Sequence, residues 1–144
     1  MNFPLLQPNG IVSAATHALV NASLADDLVL GESLFQELVE VLDELRANWG
    51  DHPVLLETQA DFHDEPTQRV ELYRDALQLA EQHRLPTFTV RLSLARVLLD
   101  EFDDSRLAKI ELIACQPDVV KNGDDGDRLE WAALKTLISQ RESF

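Results

Sequence analysis

The chain has 144 residues and a formal net charge of −14, from 26 acidic and 12 basic side chains. Its hydrophobic fraction of 45% is sufficient for a folded core, and its length suits a single domain, which argues against a disordered chain. A charge of this sign repels phosphate groups and anionic lipids, so it disfavours nucleic-acid and membrane binding and favours a basic protein partner.

Apolar spacing and the positions of glycine and proline predict six or seven helices. Residues 1–10 are expected to be irregular, because they contain two prolines and a glycine. A helix over residues 11–24 carries small apolar residues on one face, and this face is a candidate either for a homodimer contact or for a lid on the chain's own helices. A longer helix over residues 32–48 follows, and Gly50 ends it.

Prolines begin the next two predicted helices, since proline is tolerated in the first turn of a helix. Pro53 begins a helix over residues 53–63, and Pro66 begins one over residues 66–84. The apolar spacing then predicts a helix over residues 87–102.

The last part of the chain is predicted to form two further helices. The first covers residues 105–115 and is closed by Pro117, and the second covers residues 127–141 after a loop at residues 122–126. No segment shows the alternation of a strand, so the chain is predicted to be all-α. The side chains expected in the core include Phe102, Cys115 and Leu129.

Two short patterns in the middle of the chain point to a repeat. Residues 73–77 read aromatic-x-x-Ala-Leu, residues 94–99 read Leu-Ala-x-x-Leu-Leu, and the small residues Ala60 and Ala95 are 35 positions apart. In these features residues 53–117 resemble degenerate tetratricopeptide (TPR) repeats. The resemblance implies a right-handed array of antiparallel helix pairs, with the last predicted helix as a C-terminal cap.

The resemblance also implies a binding surface. In TPR proteins the first helix of each pair lines a concave groove that takes an extended peptide or a partner helix. In this chain the groove would be acidic at one end and mixed at the other, which suits a partner segment with Lys or Arg beside an apolar residue. The residues assigned to this groove are Glu57, Asp61, Asp64, Thr89, Leu92, Arg96 and Leu99.

The sequence contains no recognisable catalytic, phosphate-binding or cofactor-binding motif, so we expect neither an enzyme nor a bound cofactor. Asp61 and His63 belong to the most ligand-like cluster, but residues two apart on a helix face different directions, and no metal site is expected. Glu57 and Asp61 share a helix face as an acid–base pair would. The sequence places nothing apolar around them that would raise their pKa values.

The predicted function is that of a noncatalytic adaptor that binds a basic protein, as bacterial secretion chaperones and toxin-neutralising immunity proteins do. Residues 1–68 carry −11 of the charge, because they hold twelve carboxylates and one basic residue, Arg46. An alternative is an acidic regulator that masks a DNA-binding protein by imitating phosphate spacing. The lone cysteine and the lack of a signal-peptide pattern predict a cytoplasmic location.

Overall fold

The computed structural model describes residues 28–142, and there the chain forms six α-helices. They are α1 (Leu28–Trp49), α2 (Pro53–Phe62), α3 (Pro66–Gln82), α4 (Phe88–Asp100), α5 (Ser105–Asn122) and α6 (Asp125–Glu142). This part of the chain contains no strand, which confirms the all-α class. The irregular segment 1–10 and the helix predicted over residues 11–24 lie outside the described residues. None of the described helices combines the length and apolar character needed to cross a bilayer.

Local signals in the sequence explain where several helices begin. Pro53 and Pro66 occupy the first turns of α2 and α3, as predicted. The side chain of Glu65 accepts a 2.7 Å hydrogen bond from the backbone N–H of Gln68, and the side chain of Asp104 caps α5 in the same way. These caps satisfy backbone donors that have no partner within the helix.

The prediction that Pro117 closes its helix is wrong, because α5 continues through the proline to Asn122. A proline inside a helix removes one backbone donor and crowds the preceding turn. Here the last turn is stabilised by the buried side chain of Val119 and by a 3.0 Å hydrogen bond from the N–H of Gly123 to the carbonyl of Val119. Tertiary packing therefore outweighs the local preference of the proline.

The helices from α2 to α6 pack against their neighbours in chain order, and α6 also contacts α4. Connections of two to five residues join these helices. α1 packs on α2 at one end of the row, where Leu38, Leu42 and Leu55 form a small separate core. The main core lies between the other five helices and includes the fully buried Ala60 and Ala95.

Two apolar residues expected in the core lie at the surface. Phe102 follows the end of α4, so the helical spacing used to place it no longer applies. Leu129 is 72% exposed on α6. It is nine positions before the buried Ile138, which on an α-helix corresponds to the opposite side.

Helix α6 is anchored at both ends. A side chain at Gly123, between α5 and α6, would place its Cβ 2.6 Å from the carbonyl oxygen of Val119 on α5 and 3.1 Å from the Cβ of Asp127 on α6, so the close approach there requires glycine. Near the other end, Nη1 of Arg141 donates a 2.8 Å hydrogen bond to the carbonyl of Leu99 and forms a 2.9 Å ion pair with Asp103. α6 is thereby fixed against both α5 and α4.

Candidate functional site

An open groove of about 470 Å³ lies where α2, α3, α4 and α6 meet. Asp61 reaches it from α2, and α6 forms another wall with Asp127 and Glu130. Arg69 and Tyr73 reach the groove from α3, so four of the six helices contribute to one surface. The predicted binding residues that line this groove are Asp61, Thr89, Leu92 and Arg96.

The other three predicted binding residues occupy different places. Glu57 borders the groove, since it lies one turn before Asp61 and shares a hydrogen bond with Thr89. Asp64 lies beyond the end of α2, where the chain no longer follows the helix face, and its side chain points to solvent. Leu99 does not line the groove: it is 1% exposed in the core, at the end of α4 that α6 covers.

Glu57 and Asp61 form a carboxyl pair on α2, in which Glu57 is partly buried and Asp61 is exposed. The pKa of Glu57 is raised to about 7: burial is the largest cause, the nearby charge of Asp61 acts in the same direction, and the hydrogen bond with Thr89 opposes the shift. Desolvation of its carboxyl group also raises the pKa of Asp61, although the residue as a whole is exposed at the groove. The hydrogen bond from Tyr73 and the charge of Arg69 act in the opposite direction.

The raised pKa values correct the expectation that nothing near this pair would shift its titration. That expectation considered only neighbours along the sequence. The groups that bury Glu57 and Asp61 belong to other helices, as the contacts with Tyr73 on α3 and Thr89 on α4 show. A carboxyl group that titrates near neutral pH can take up a proton, or give one up to an incoming cation, under physiological conditions.

Two residues of α3 hold the pair in place. The hydroxyl of Tyr73 donates a 2.5 Å hydrogen bond to Oδ1 of Asp61. Burial of the phenol raises its own pKa, so it remains a donor at neutral pH. Nε of Arg69 donates a 3.0 Å hydrogen bond to the carbonyl of Ala60 near the end of α2.

The second arginine of the groove is already neutralised by a groove carboxylate. Arg96 makes a two-pronged contact with Glu130, with Nε–Oε1 and Nη2–Oε2 distances of 2.9 and 3.0 Å. The hydrogen bond with Glu130 raises the pKa of Arg96, and Asp100 adds a weaker attraction at 3.9 Å. Carboxylates therefore outnumber guanidinium groups around the groove, and one carboxyl pair lacks an ionic partner of comparable strength.

Sequence reasoning missed five of the groove residues. Tyr73 was expected only as a core residue, and Asp127 and Glu130 belong to a helix that was expected only to cap the array. The sequence did contain a signal for Arg69, because a charged residue at that position interrupts an otherwise apolar helix face. It contained none for Ser93.

The described residues offer little support for a metal site or a reactive cysteine. No three His, Cys, Asp or Glu side chains within residues 28–142 are grouped so as to hold a metal ion. Cys115 is buried, and burial raises the pKa of its thiol to about 11, which keeps it protonated. No protein-family model, curated protein or solved structure matches this chain. The groove has the features of a polar binding surface with a protonatable acidic wall.

Proposed function

We propose that the chain is a noncatalytic interaction module that binds a basic segment of another protein in this groove. The observation that carries the proposal is the carboxyl pair Glu57–Asp61 beside the open groove, while Arg96 is already held by Glu130. A lysine or arginine of the partner would supply the missing positive charge. Hydrogen bonds between ionised groups are among the stronger ones that an interface can make.

A TPR-like arrangement is part of this proposal. It is supported by the packing of α2 to α6 against their neighbours in chain order and by the contribution of residues from α2, α4 and α6 to one groove, which α3 also lines. It is also supported by Ala60 and Ala95, which are fully buried at the positions that the resemblance pairs. In such an array a partner segment lies across the first helices of successive pairs.

The charge of the chain suits capture of a basic client in the manner of a secretion chaperone or an immunity protein. Residues 1–68 carry −11, and Glu37, Glu40 and Glu44 are exposed on one face of α1. A field of this kind speeds encounter with a basic protein, and contacts in the groove then hold it. The same row on α1 favours a second candidate, an acidic regulator that occupies the phosphate-binding surface of a DNA-binding protein.

The test is fluorescence anisotropy of labelled short peptides that place Lys or Arg beside a leucine. We expect Glu57→Gln with Asp61→Asn to weaken binding at least about tenfold, which is about 1.4 kcal/mol. The matched control is Glu71→Gln with Asp75→Asn, which removes the same charge from the exposed side of α3. Equal weakening by the two double variants would contradict binding in the groove.

The dependence of binding affinity on salt concentration distinguishes the two candidate functions. Binding in the groove depends less on ionic strength, because Glu57 is partly buried and salt screens the interactions of partly buried charges less. Binding through exposed α1 carboxylates falls steeply with salt. It is weakened by Glu37→Gln, Glu40→Gln and Glu44→Gln together, and it is insensitive to Asp61→Asn.

A further inference from the structure

Helix α5 has an apolar face that no described helix covers. Ile110, Ile113 and Val120 are 53%, 62% and 65% exposed, and Leu107 and Pro117 are exposed on the same side. Their spacing of three or four positions places them in one stripe along the helix. The opposite side of α5 packs into the core through Ala108, Leu112, Cys115 and Val119.

The stripe is long enough to receive another helix. Thirteen positions separate its ends, which corresponds to about 20 Å at 1.5 Å per residue. Single exposed apolar residues are common on soluble proteins, but a continuous stripe of this length marks an interaction surface. α5 contributes no residue to the groove, so this face is a separate surface.

Positive charges stand at both ends of the stripe. Arg106 and Lys121 are exposed and form no ion pair with the described part of the chain. Other cations near α5 are occupied: Lys109 contacts Glu142 at 3.3 Å, and Arg91 contacts Glu111 at 2.6 Å. Among the acidic residues of α5, Glu111 is buried and only Asp118 is exposed.

This charge pattern opposes pairing of the α5 face with itself. If two copies paired in antiparallel fashion, Arg106 of one copy would lie near Lys121 of the other. If they paired in parallel, Arg106 of one copy would lie near Arg106 of the other, and the two Lys121 side chains would also lie near each other. Like charges placed opposite each other cost energy in both arrangements, whereas carboxylates at the same places stabilise the contact.

We infer that the α5 face is a second docking surface, and that its occupant is an amphipathic helix of a partner protein with carboxylates at both ends of its apolar stripe. The surface differs from the groove in both shape and charge. The chain would therefore join two unlike partners, a basic segment in the groove and an acidic helix on α5. The inference does not depend on occupation of the groove.

The probe is a labelled helical peptide with leucines at three- and four-residue spacing and glutamates at both ends, and the full chain is titrated into it. The comparison peptide carries lysines in place of the glutamates. We expect the acidic peptide to bind and Ile110→Ser with Ile113→Ser to weaken it at least about tenfold. Arg106→Glu with Lys121→Glu should reverse the preference between the peptides.

The control variant is Leu129→Ser, which removes an apolar side chain that is 72% exposed on α6 and should leave binding unchanged. Circular dichroism and urea unfolding check that every variant is folded. The inference is overturned if the lysine peptide binds equally well, or if the α5 variants leave binding intact.

Two other occupants are distinguished by separate measurements. Self-association of the wild-type chain in sedimentation velocity, abolished by Ile110→Ser with Ile113→Ser, would show that a second copy covers the face. Co-sedimentation with phosphatidylserine vesicles, lost in the same variant, would show a membrane contact. Either result overturns the inference, and neither bears on the groove.

Discussion

Tyr73 and Asp61 are joined by a 2.5 Å hydrogen bond that connects α3 to the acidic wall of the groove. The bond lowers the pKa of Asp61 and so opposes the effect of burial. The phenol is itself buried, and its raised pKa keeps the proton on the donor. A buried hydroxyl therefore keeps a groove carboxylate oriented and favours its ionised form.

Tyr73→Phe tests this contact with little change in volume. We expect a loss of about 1–2 kcal/mol in the free energy of unfolding, because a hydrogen bond to a charged group is removed. The pKa of Asp61, followed by NMR of its carboxyl carbon, should rise. A double-mutant cycle with Asp61→Asn isolates the coupling between the two side chains, and additive effects would show that the bond contributes nothing.

Glu57 should make the protein less stable as the pH rises. Its pKa is raised from 4.5 in an unfolded reference to about 7 in the fold, so the folded state binds the proton more tightly. The stabilisation is fully present below about pH 4.5 and is lost as the pH rises to about 7. At about 1.36 kcal/mol for each pKa unit, the difference between 4.5 and about 7 corresponds to about 3 to 3.5 kcal/mol.

Urea unfolding between pH 4.5 and 8 measures this dependence. Glu57→Gln should flatten it, because glutamine resembles the neutral carboxyl group at every pH. The lowered pKa of His52 acts in the opposite direction. The measurement is therefore the difference between wild type and variant in how the free energy of unfolding depends on pH. Glu71→Gln, at an exposed position on α3, should leave the slope unchanged. An identical slope in Glu57→Gln would contradict the assignment.

Arg91 links three helices through its guanidinium group. It lies 2.6 Å from Glu111 on α5 and 3.0 Å from Glu81 on α3. Because Glu111 is buried, Glu111→Gln should cost about 1–3 kcal/mol of unfolding free energy. Asp43→Asn, which breaks an exposed pair with Arg46, should cost less than about 0.5 kcal/mol.

A thermal unfolding series measures both changes, and similar losses in Glu111→Gln and Asp43→Asn would contradict the role given to the buried pair. Arg91→Met with Glu111→Leu should recover much of the loss. Replacing a buried ion pair with apolar residues of similar size removes the penalty of desolvating two charges.

Pro117→Ala should stabilise the chain. Alanine restores the backbone donor that proline removes from the interior of α5, and we expect a gain of about 1–3 kcal/mol in unfolding free energy. Pro53→Ala and Pro66→Ala serve as controls, because prolines in the first turn leave no hydrogen bond unmade. These two changes should be neutral or slightly destabilising. A loss of stability in Pro117→Ala would contradict this expectation.

Prolines and capping residues in the sequence predicted where several of the helices begin. Pro53, Pro66 and Asp104 mark helix starts through effects that act within one turn. Ala60 and Ala95, which the resemblance to TPR repeats pairs as small packing residues, are fully buried. The end of α5 did not follow from Pro117, since packing of the last turn against α6 offsets what the proline costs.

The candidate groove was predicted only where it follows a single helix face. Asp61, Thr89, Leu92 and Arg96 were found in this way. Glu130 was not, because it reaches the groove from a helix distant in sequence. The titration of Glu57 depends on the same kind of long-range contact, and a pattern read along the chain contains no information about it.

The anchoring of α6 at Gly123 and Arg141 bears on how the groove recognises its occupant. α6 carries one wall of the groove, so that wall is in place before anything binds. A preformed surface loses little conformational entropy on association. It therefore favours partner segments whose shape already fits the groove. Gly123→Ala would move this wall by changing a residue that touches no ligand. Affinity in the groove is then governed in part by a contact that lies outside it.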